Sequence, residues 1–162
     1  MSPSSYKDNV CRITQGWPTY TGGKRHYGID ICCGIHHTDK MLCVEDSVVI
    51  ETFEGNGKKS GYVKLLGLIS EKIIIYKHAG KFKVKEKDKI KSGDIIASPN
   101  YTNTDSLHLH FEVWNNEKNL NPIEYLMDVQ PYLKYELSKN FGMYEYYYNT
   151  DKKMLDKMIT LD

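Results

Sequence analysis

The stretch of sequence that decides the fold is LHLHFEVW, residues 107–114, in which apolar and polar side chains alternate. Successive side chains of a β-strand point to opposite faces, so His108, His110 and Glu112 share one face of a predicted strand. The opposite face is apolar and consists of Leu107, Leu109, Phe111 and Val113. The stretch therefore predicts a strand that packs against a core on one side and carries two imidazoles, about 6.6 Å apart, on the other.

Short runs of β-branched and aromatic residues continue this pattern upstream, and they are separated by Gly, Asn and Asp. The runs that predict strands are residues 29–33, 48–53, 62–66, 72–76 and 94–97. Gly55-Asn56-Gly57 and Asn115-Asn116 favour tight turns, because Gly and Asn tolerate a positive φ. Many short strands joined by turns predict a mainly β fold, with an antiparallel sheet or sandwich as its core.

The composition changes after Pro122, where tyrosines and lysines become frequent and the apolar spacing favours short helices. We therefore predict a flexible N-terminal arm at residues 1–10, a β domain at residues 11–126 and a helical C-terminal extension at residues 127–162. The apolar residues of the extension need a surface to cover, because a lone helix is marginal in water. We expect the extension to pack on the sheet, on a second copy of the chain (a homo-oligomer) or on a neighbouring domain.

Length and composition exclude several classes of protein. With 162 residues, of which 40% are hydrophobic and 27% charged, the chain can form one globular domain with a small appendage. The formal net charge is +1, so no overall positive field is available to bind nucleic acid. No segment approaches the roughly 18 apolar residues of a membrane span, and residues 1–20 lack the apolar segment of a secretion signal.

The four cysteines, Cys11, Cys32, Cys33 and Cys43, form no C-x-x-C pair. Adjacent Cys32 and Cys33 would bridge each other only under strain. The spacing therefore gives neither a zinc ribbon nor a redox motif, and we expect free thiols in a reducing compartment.

The histidines are the candidate functional residues. The segment HYGID places His26 four residues before Asp30, and Gly28 between them permits the backbone to bend. Without a bend the two side chains would lie about 13 Å apart on a straight strand, too far to share a metal ion. We therefore expect His26 on a loop and Asp30 at the start of a strand. His78 ends another apolar run and is expected to reach the same face of the sheet from an adjacent strand.

Two imidazoles and one carboxylate form the ligand set of a catalytic zinc site, in which a fourth position stays open. His26, Asp30 and either His108 or His110 supply such a set. A strand spaces His108 and His110 widely, so one of them can ligate while the other stands beside the open position. Structural zinc sites are instead closed by four ligands rich in cysteine, and this sequence has no such spacing.

These motifs, in this order, resemble the signatures of the lysostaphin-type (LytM-like) zinc endopeptidases, which hydrolyse bacterial peptidoglycan. The signatures are H-x-x-x-D at residues 26–30, the lone histidine at position 78 and H-x-H at residues 108–110. Residues 84–96 resemble the family's turn and strand between the last two signatures, and residues 120–126 resemble its closing segment.

The resemblance implies that His26, Asp30 and His110 bind one zinc ion per chain, while His78 and His108 flank the water that attacks the substrate. It implies a zinc metalloendopeptidase that acts at the bacterial cell wall on a peptide of the peptidoglycan stem or cross-bridge. Since the sequence shows no secretion signal, we expect a phage lysin, a virion-associated lytic protein or a fragment of a longer exported hydrolase. The alternative is a non-cleaving LytM-like module that binds cell wall or a protein partner, although such modules usually lack a ligand or a catalytic histidine.

Two segments depart from the family pattern. Residues 32–43 replace its small-residue and proline turn with cysteines and histidines, and residues 54–70 also differ, so no substrate preference is implied. We expect His36 and His37 to lie on a solvent-exposed loop and Cys32 to be a core thiol.

Overall fold

The computed structural model describes residues 11–32, 38–100, 108–129, 146–148 and 159–161. Within these ranges the chain forms two antiparallel sheets and one helix, which confirms the predicted mainly β fold. The strands are β1 (Cys11–Gln15), β2 (Gly28–Cys32), β3 (Thr38–Leu42), β4 (Ser47–Phe53), β5 (Tyr62–Gly67), β6 (Ile73–Lys77), β7 (Ala79–Gly80), β8 (Lys89–Ile90), β9 (Ile95–Pro99), β10 (Leu109–Asn115), β11 (Lys118–Leu120), β12 (Tyr146–Tyr148) and β13 (Ile159–Leu161). The helix, α1, spans Pro122–Val129.

The large sheet has the strand order β12-β1-β2-β10-β6-β5-β4-β8, with β11 paired to β10. The smaller sheet has the order β13-β3-β9-β7. The six strands predicted from sequence are all present, each to within two residues at either end. The strand that contains the alternating stretch, β10, lies in the interior of the large sheet between β2 and β6.

The hydrophobic core lies against the apolar face of β10. Leu109, Phe111 and Val113 are fully buried, as the alternation predicts. Phe111 packs edge-on against Tyr76 of β6, with 5.2 Å between the ring centroids. Tyr125 of α1 lies 6.2 Å from the Phe111 ring, so the helix covers the same core.

The pairing of β2 with β10 sets the geometry of the candidate site. Asp30 lies opposite His110 in this antiparallel ladder. A Cβ at Gly28 would lie 2.3 Å from the carbonyl oxygen of Phe111, so the close approach of the two strands requires glycine. The strands therefore hold Asp30 and His110 side by side.

The helix begins before the predicted boundary of the C-terminal extension. Asn121 caps it, since its Oδ1 accepts a hydrogen bond from the N–H of Ile123 at 3.0 Å, and Pro122 occupies the first helical position. The buried residues of α1 are Pro122, Tyr125 and Leu126, and the last two belong to the hydrophobic core. No helix in the described part of the chain has the length and apolarity that crossing a membrane requires.

The prediction of a helical C-terminal extension is wrong for two short segments, which form strands. Residues 146–148 form β12 beside β1, and residues 159–161 form β13 beside β3. Tyrosine, isoleucine and threonine favour strands, and the edges of β1 and β3 offer backbone groups with which these residues pair. The arm at residues 1–10 and the rest of the extension after α1 lie outside the described residues, so the division at residue 126 stays a prediction.

Candidate metal centre

Three of the predicted site residues converge at one point of the large sheet. Nε2 of His26 lies 3.1 Å from Nδ1 of His110 and 3.3 Å from Oδ1 of Asp30. Oδ1 of Asp30 lies 3.0 Å from Nδ1 of His110. All three residues are buried, and their ligand atoms form a group that could hold a metal ion. Of the two histidines that the strand spacing left open, His110 is the one that joins this group.

Two strands and a loop place these three residues. Asp30 in β2 and His110 in β10 lie opposite each other. His26 lies on the loop before β2, where its backbone N–H donates to the carbonyl oxygen of Pro18 at 2.8 Å. The loop returns His26 to the sheet beside Asp30, as predicted. The bend lies at Tyr27, however, and Gly28 is already the first residue of β2, so Asp30 lies in the middle of the strand and not at its start.

Each imidazole of the ligand group has an inner nitrogen, which faces the other two ligands, and an outer nitrogen on the opposite side of the ring. Both outer nitrogens face oxygen acceptors. Nδ1 of His26 lies 2.7 Å from the carbonyl oxygen of Gly16, and Nε2 of His110 lies 2.8 Å from Oε2 of Glu112. In a neutral imidazole these contacts place the proton on the outer nitrogen and leave a lone pair on the inner one. Two lone pairs and a carboxylate oxygen then face one another, an arrangement that a cation between them stabilises.

The separations of the three inner atoms fit a zinc ion. Nitrogen and oxygen ligands lie about 2.0–2.2 Å from zinc, so two of them at a tetrahedral angle are about 3.3 Å apart. The observed separations are 3.0, 3.1 and 3.3 Å. Two imidazole nitrogens and one carboxylate oxygen are also a donor set of catalytic zinc sites.

The charges around the ligands shift their pKa values. Burial alone would raise the pKa of Asp30, but hydrogen bonds from His110 and His26 hold it well below its usual range. Burial alone would lower the pKa of His110, but Asp30 and Glu112 raise it above its usual value. Asp30 is therefore ionised at neutral pH, and the two carboxylates beside His110 favour a cation at this point, whether a proton on the ring or a metal ion between the ligands.

Glu112 is a further residue of the candidate site, and the alternation in sequence predicts its face but gives it no role. Its Oε2 accepts hydrogen bonds from Nε2 of His110 and Nζ of Lys77, each at 2.8 Å, and its Oε1 accepts one from Nε1 of Trp114 at 2.8 Å. Burial alone would raise the pKa of Glu112, but His110 and Lys77 lower it to about 2. Glu112 is thus an ionised carboxylate, fixed by three donors, that orients the ring of His110.

The other two predicted site histidines lie beside the ligand group. The ring centroid of His78 lies 4.6 Å from that of His108 and 6.0 Å from that of His110. Nε2 of His108 lies 3.6 Å from Oδ1 of Asp30. His78 follows β6, the neighbour of β10, so the expectation that it reaches the site from an adjacent strand is confirmed. The structure brings all five residues together, and their division into three ligands and two catalytic histidines stays a prediction.

A groove with a cavity volume of about 270 Å³ opens at the site. Its lining residues are Tyr20, Arg25, His26, Tyr27, Ser60, Lys77, His78, His110 and Glu112. Tyr20 stacks on His26 with 3.9 Å between the ring centroids, and burial raises its pKa, with Asp30 and Glu112 acting in the same direction. The sequence does not predict that Tyr20 belongs to the site, because the segment before His26 has no periodicity that assigns its side chains to a face.

A larger cavity, of about 680 Å³, lies elsewhere in the described part of the chain. Its lining includes Glu45, Ile69 and Tyr125, and it lies between α1 and the turn after β5. None of the five predicted site residues lines it. The candidate functional site is therefore the smaller groove, where the histidines converge.

The remaining predictions around the site concern cysteines and two further histidines. The side chain of Cys32 and the residues His36 and His37 lie outside the described part of the chain. Cys43 is a buried free thiol that donates a hydrogen bond to the carbonyl oxygen of Glu45 at 2.8 Å. The prediction of a free thiol is thus confirmed for this cysteine. Burial raises the pKa of Cys43 to about 11, so the thiol is protonated at neutral pH.

The profile of Peptidase family M23 matches residues 24–122. The matched range is more than half of the chain and contains all five residues of the site. The chain belongs to peptidase family M23. The resemblance to lysostaphin-type endopeptidases, inferred from the three histidine motifs, is thereby confirmed.

The chain is similar to a curated endopeptidase in sequence and to two solved structures in fold. The glycyl-glycine endopeptidase ALE-1 of Staphylococcus capitis is 30% identical over 122 residues, which are 73% of this chain and 32% of ALE-1. The chain thus spans about a third of the length of that relative. Lysostaphin of Staphylococcus simulans has the same fold, with a TM-score of 0.61 and 24% identity over 77% of this chain and 53% of that structure. A zinc containing peptidase from Vibrio cholerae matches with a TM-score of 0.55 and 25% identity over 67% of this chain and 35% of that one.

Proposed function

We propose that the chain is a zinc-dependent endopeptidase that hydrolyses peptide bonds in the stem or cross-bridge of bacterial peptidoglycan. The observation that carries the proposal is the convergence of Nε2 of His26, Oδ1 of Asp30 and Nδ1 of His110, which lie 3.0–3.3 Å from one another. The similarity to a glycyl-glycine endopeptidase and to a zinc containing peptidase supports the reaction and the metal. The proposed place of action is the cell wall, reached from a phage, as a lysin or virion-associated protein, or within a longer exported hydrolase.

His26, Asp30 and His110 would hold one zinc ion per chain, through Nε2, Oδ1 and Nδ1 respectively. Zinc in such a site polarises a substrate carbonyl and lowers the pKa of a water molecule. Gly16 and Glu112 support the site, because they accept hydrogen bonds from the outer nitrogens of the two imidazoles. Both rings are thereby oriented with their inner nitrogens towards Asp30.

His78 and His108 are the proposed catalytic residues. Their rings lie 4.6 Å apart, and Nε2 of His108 is 3.6 Å from Oδ1 of Asp30, so both are next to the ligand group. An imidazole in this position accepts a proton from the attacking water, or donates a hydrogen bond to the carbonyl oxygen as negative charge develops on it. Each of these contributions is worth about 10² to 10⁴ in rate.

The test is digestion of purified cell walls of several peptide chemistries, with mass spectrometry of the released fragments to identify the cleaved bond. We expect new amino termini from at least one wall type, loss of cleavage on metal chelation and recovery when zinc is restored. His110→Ala should lose both zinc and activity, whereas His108→Ala should keep zinc and lose about 10²-fold to 10⁴-fold in rate.

Zinc content of the purified variants separates ligands from catalysts. His36→Ala is the matched control, because the sequence predicts an exposed loop there, and it should keep both zinc and activity. Equal zinc content in His108→Ala and His110→Ala would contradict the division of roles. A zinc-loaded protein that releases no fragment from any wall would contradict the proposed activity and favour the non-cleaving module.

A further inference from the structure

The guanidinium of Arg25 is held in a fixed position at the groove. Its Nη2 donates to Oδ1 of Asn119 at 2.8 Å, and its Nη1 donates to the carbonyl oxygen of Pro18 at 3.2 Å. Its Cζ lies 4.8 Å from the ring centroid of Tyr27 and 5.3 Å from that of Trp17. An exposed arginine is ordinarily free to sample many rotamers, so four contacts of this kind indicate a preorganised cation.

Asn119 connects this arrangement to the large sheet. Its Oδ1 also accepts a hydrogen bond from Nε1 of Trp17 at 2.7 Å, and its Nδ2 donates to the carbonyl oxygen of Tyr27 at 2.8 Å. Asn119 lies in β11, which pairs with β10. The position of Arg25 is therefore fixed relative to the strand that carries His110.

The charge of Arg25 is not neutralised by any carboxylate in the described part of the chain. Lys77, the other lysine or arginine that lines the groove, is paired with a carboxylate, because its Nζ lies 2.8 Å from Oε2 of Glu112. A guanidinium has five N–H donors, and the contacts with Asn119 and Pro18 use one each. Arg25 therefore has a positive charge and three further N–H donors, and it lines the groove that His26 and His110 also line.

We propose that Arg25 binds a carboxylate of the peptide substrate, close to the bond that is cut. The proposal rests on the proposed function, because it names a feature of the substrate of that same groove. A planar guanidinium binds a carboxylate through two parallel hydrogen bonds, and a preorganised one loses little entropy when it does so. Arg25 precedes His26 directly and lines the same groove, so the bound carboxylate belongs to a residue near the scissile bond.

This assignment narrows the class of substrate. A segment made only of glycine has no carboxylate within it, whereas a peptide with an acidic residue or a free α-carboxylate next to the cleaved bond has one. The chemistry of Arg25 therefore favours a bond flanked by a carboxylate over a bond inside a glycine run.

The experiment compares two peptides that contain the bond identified by wall digestion. They differ only in whether the residue next to that bond carries a free carboxylate or a carboxamide. The wild-type protein should cleave the carboxylate peptide with about tenfold higher kcat/KM, mainly through a lower KM, and Arg25→Gln should lose this preference. Arg25→Lys keeps the charge but not the planar fork, so it should retain only part of the preference.

Lys24→Gln is the matched control, because it removes one positive charge from the neighbouring exposed position and should keep the full preference. Equal cleavage of both peptides by the wild-type protein would overturn the assignment and leave the proposed function standing. An unchanged preference in a folded Arg25→Gln protein would overturn it as well.

Binding of a peptide too short to be cut separates the two proposals. An N-acetylated dipeptide with the free carboxylate should bind the wild-type protein about tenfold more tightly than it binds Arg25→Gln, and the carboxamide should show no such difference. This result without cleavage of any peptide would support the carboxylate site and contradict the proposed endopeptidase. Equal binding to both proteins would overturn the carboxylate site, whatever the cleavage result.

Discussion

His110 lies between two carboxylates that act on opposite sides of its ring. Asp30 faces Nδ1 at 3.0 Å, and Glu112 faces Nε2 at 2.8 Å. Lys77 and Trp114 also donate to Glu112, so the carboxylate cannot turn away without breaking three hydrogen bonds at once. The ring is therefore held with Nδ1 directed at the proposed metal position.

Glu112→Gln should lower the affinity for zinc about 10-fold to 100-fold without unfolding the protein. The neutral amide is a weaker acceptor for the Nε2–H of His110, so the ring loses both orientation and basicity. The measurement is competition for zinc against a chelator of known affinity, with a thermal melt as the check on folding. Glu51→Gln is the matched control, since Glu51 pairs with Lys64 at 3.6 Å between β4 and β5, and it should not change zinc affinity. Wild-type affinity in Glu112→Gln would mean that the carboxylate serves mainly to neutralise Lys77.

The candidate ligands could be predicted because their motifs are local in the sequence. A single bend joins His26 to Asp30, and alternation along one strand places His110 on the polar face. The partnership of Glu112 with Lys77 could not be predicted, because it depends on the register between β10 and β6. No pattern within either strand encodes that register.

At the scale of elements, Gly28 lets β2 and β10 approach each other at the site. A Cβ at this position would lie 2.3 Å from the carbonyl oxygen of Phe111 and 2.9 Å from its carbonyl carbon. Backbone atoms cannot yield as the end of a side chain can, so a larger residue must push the strands apart. Because Asp30 and His110 face each other across the same pair of strands, their separation depends on this glycine.

Gly28→Ala should lower the free energy of unfolding by about 1–3 kcal/mol and weaken zinc binding at the same time. The added methyl group displaces β2 from β10 and so moves Asp30 away from His110. Equilibrium unfolding in urea measures the first effect, and zinc competition measures the second. Gly57→Ala is the matched control, because a Cβ there meets no described atom within 4 Å, and both quantities should stay unchanged. Wild-type stability in Gly28→Ala would show that β2 and β10 can move apart at no cost.

The longer strands could be predicted from sequence, whereas several short ones could not. The runs in β4, β5, β6 and β10 are rich in β-branched and aromatic residues, which fit a pleated, half-buried surface. By contrast, β7 and β8 contain two residues each, and their pairing depends on neighbours far along the chain. The apolar spacing after Pro122 predicts a helix, but the residue at which α1 begins depends on the cap that Asn121 provides.

At the scale of the whole molecule, the last part of the chain adds a strand to each sheet. β12 pairs with β1 at the end of the large sheet, and β13 pairs with β3 at the end of the smaller one. These pairs join segments more than a hundred residues apart, so no local pattern could reveal them. Residues 146–148 and 159–161 thus pair with sheets of the same chain, and the surface that the rest of the extension covers stays a prediction.

Truncation after Val129 should lower the Tm and leave the zinc site intact. It removes β12 and β13 but none of the proposed ligands, and it keeps α1 on the core. Because β1 and β3 would then have unpaired backbone groups at sheet edges, the truncated chain should also associate as its concentration rises, which light scattering measures. Removal of residues 1–10, the predicted flexible arm, is the matched control and should change neither property. A truncated chain with the wild-type Tm and mass would mean that the added strands do not stabilise the fold. A fall from dimer to monomer on truncation would instead mean that the extension binds a second copy of the chain.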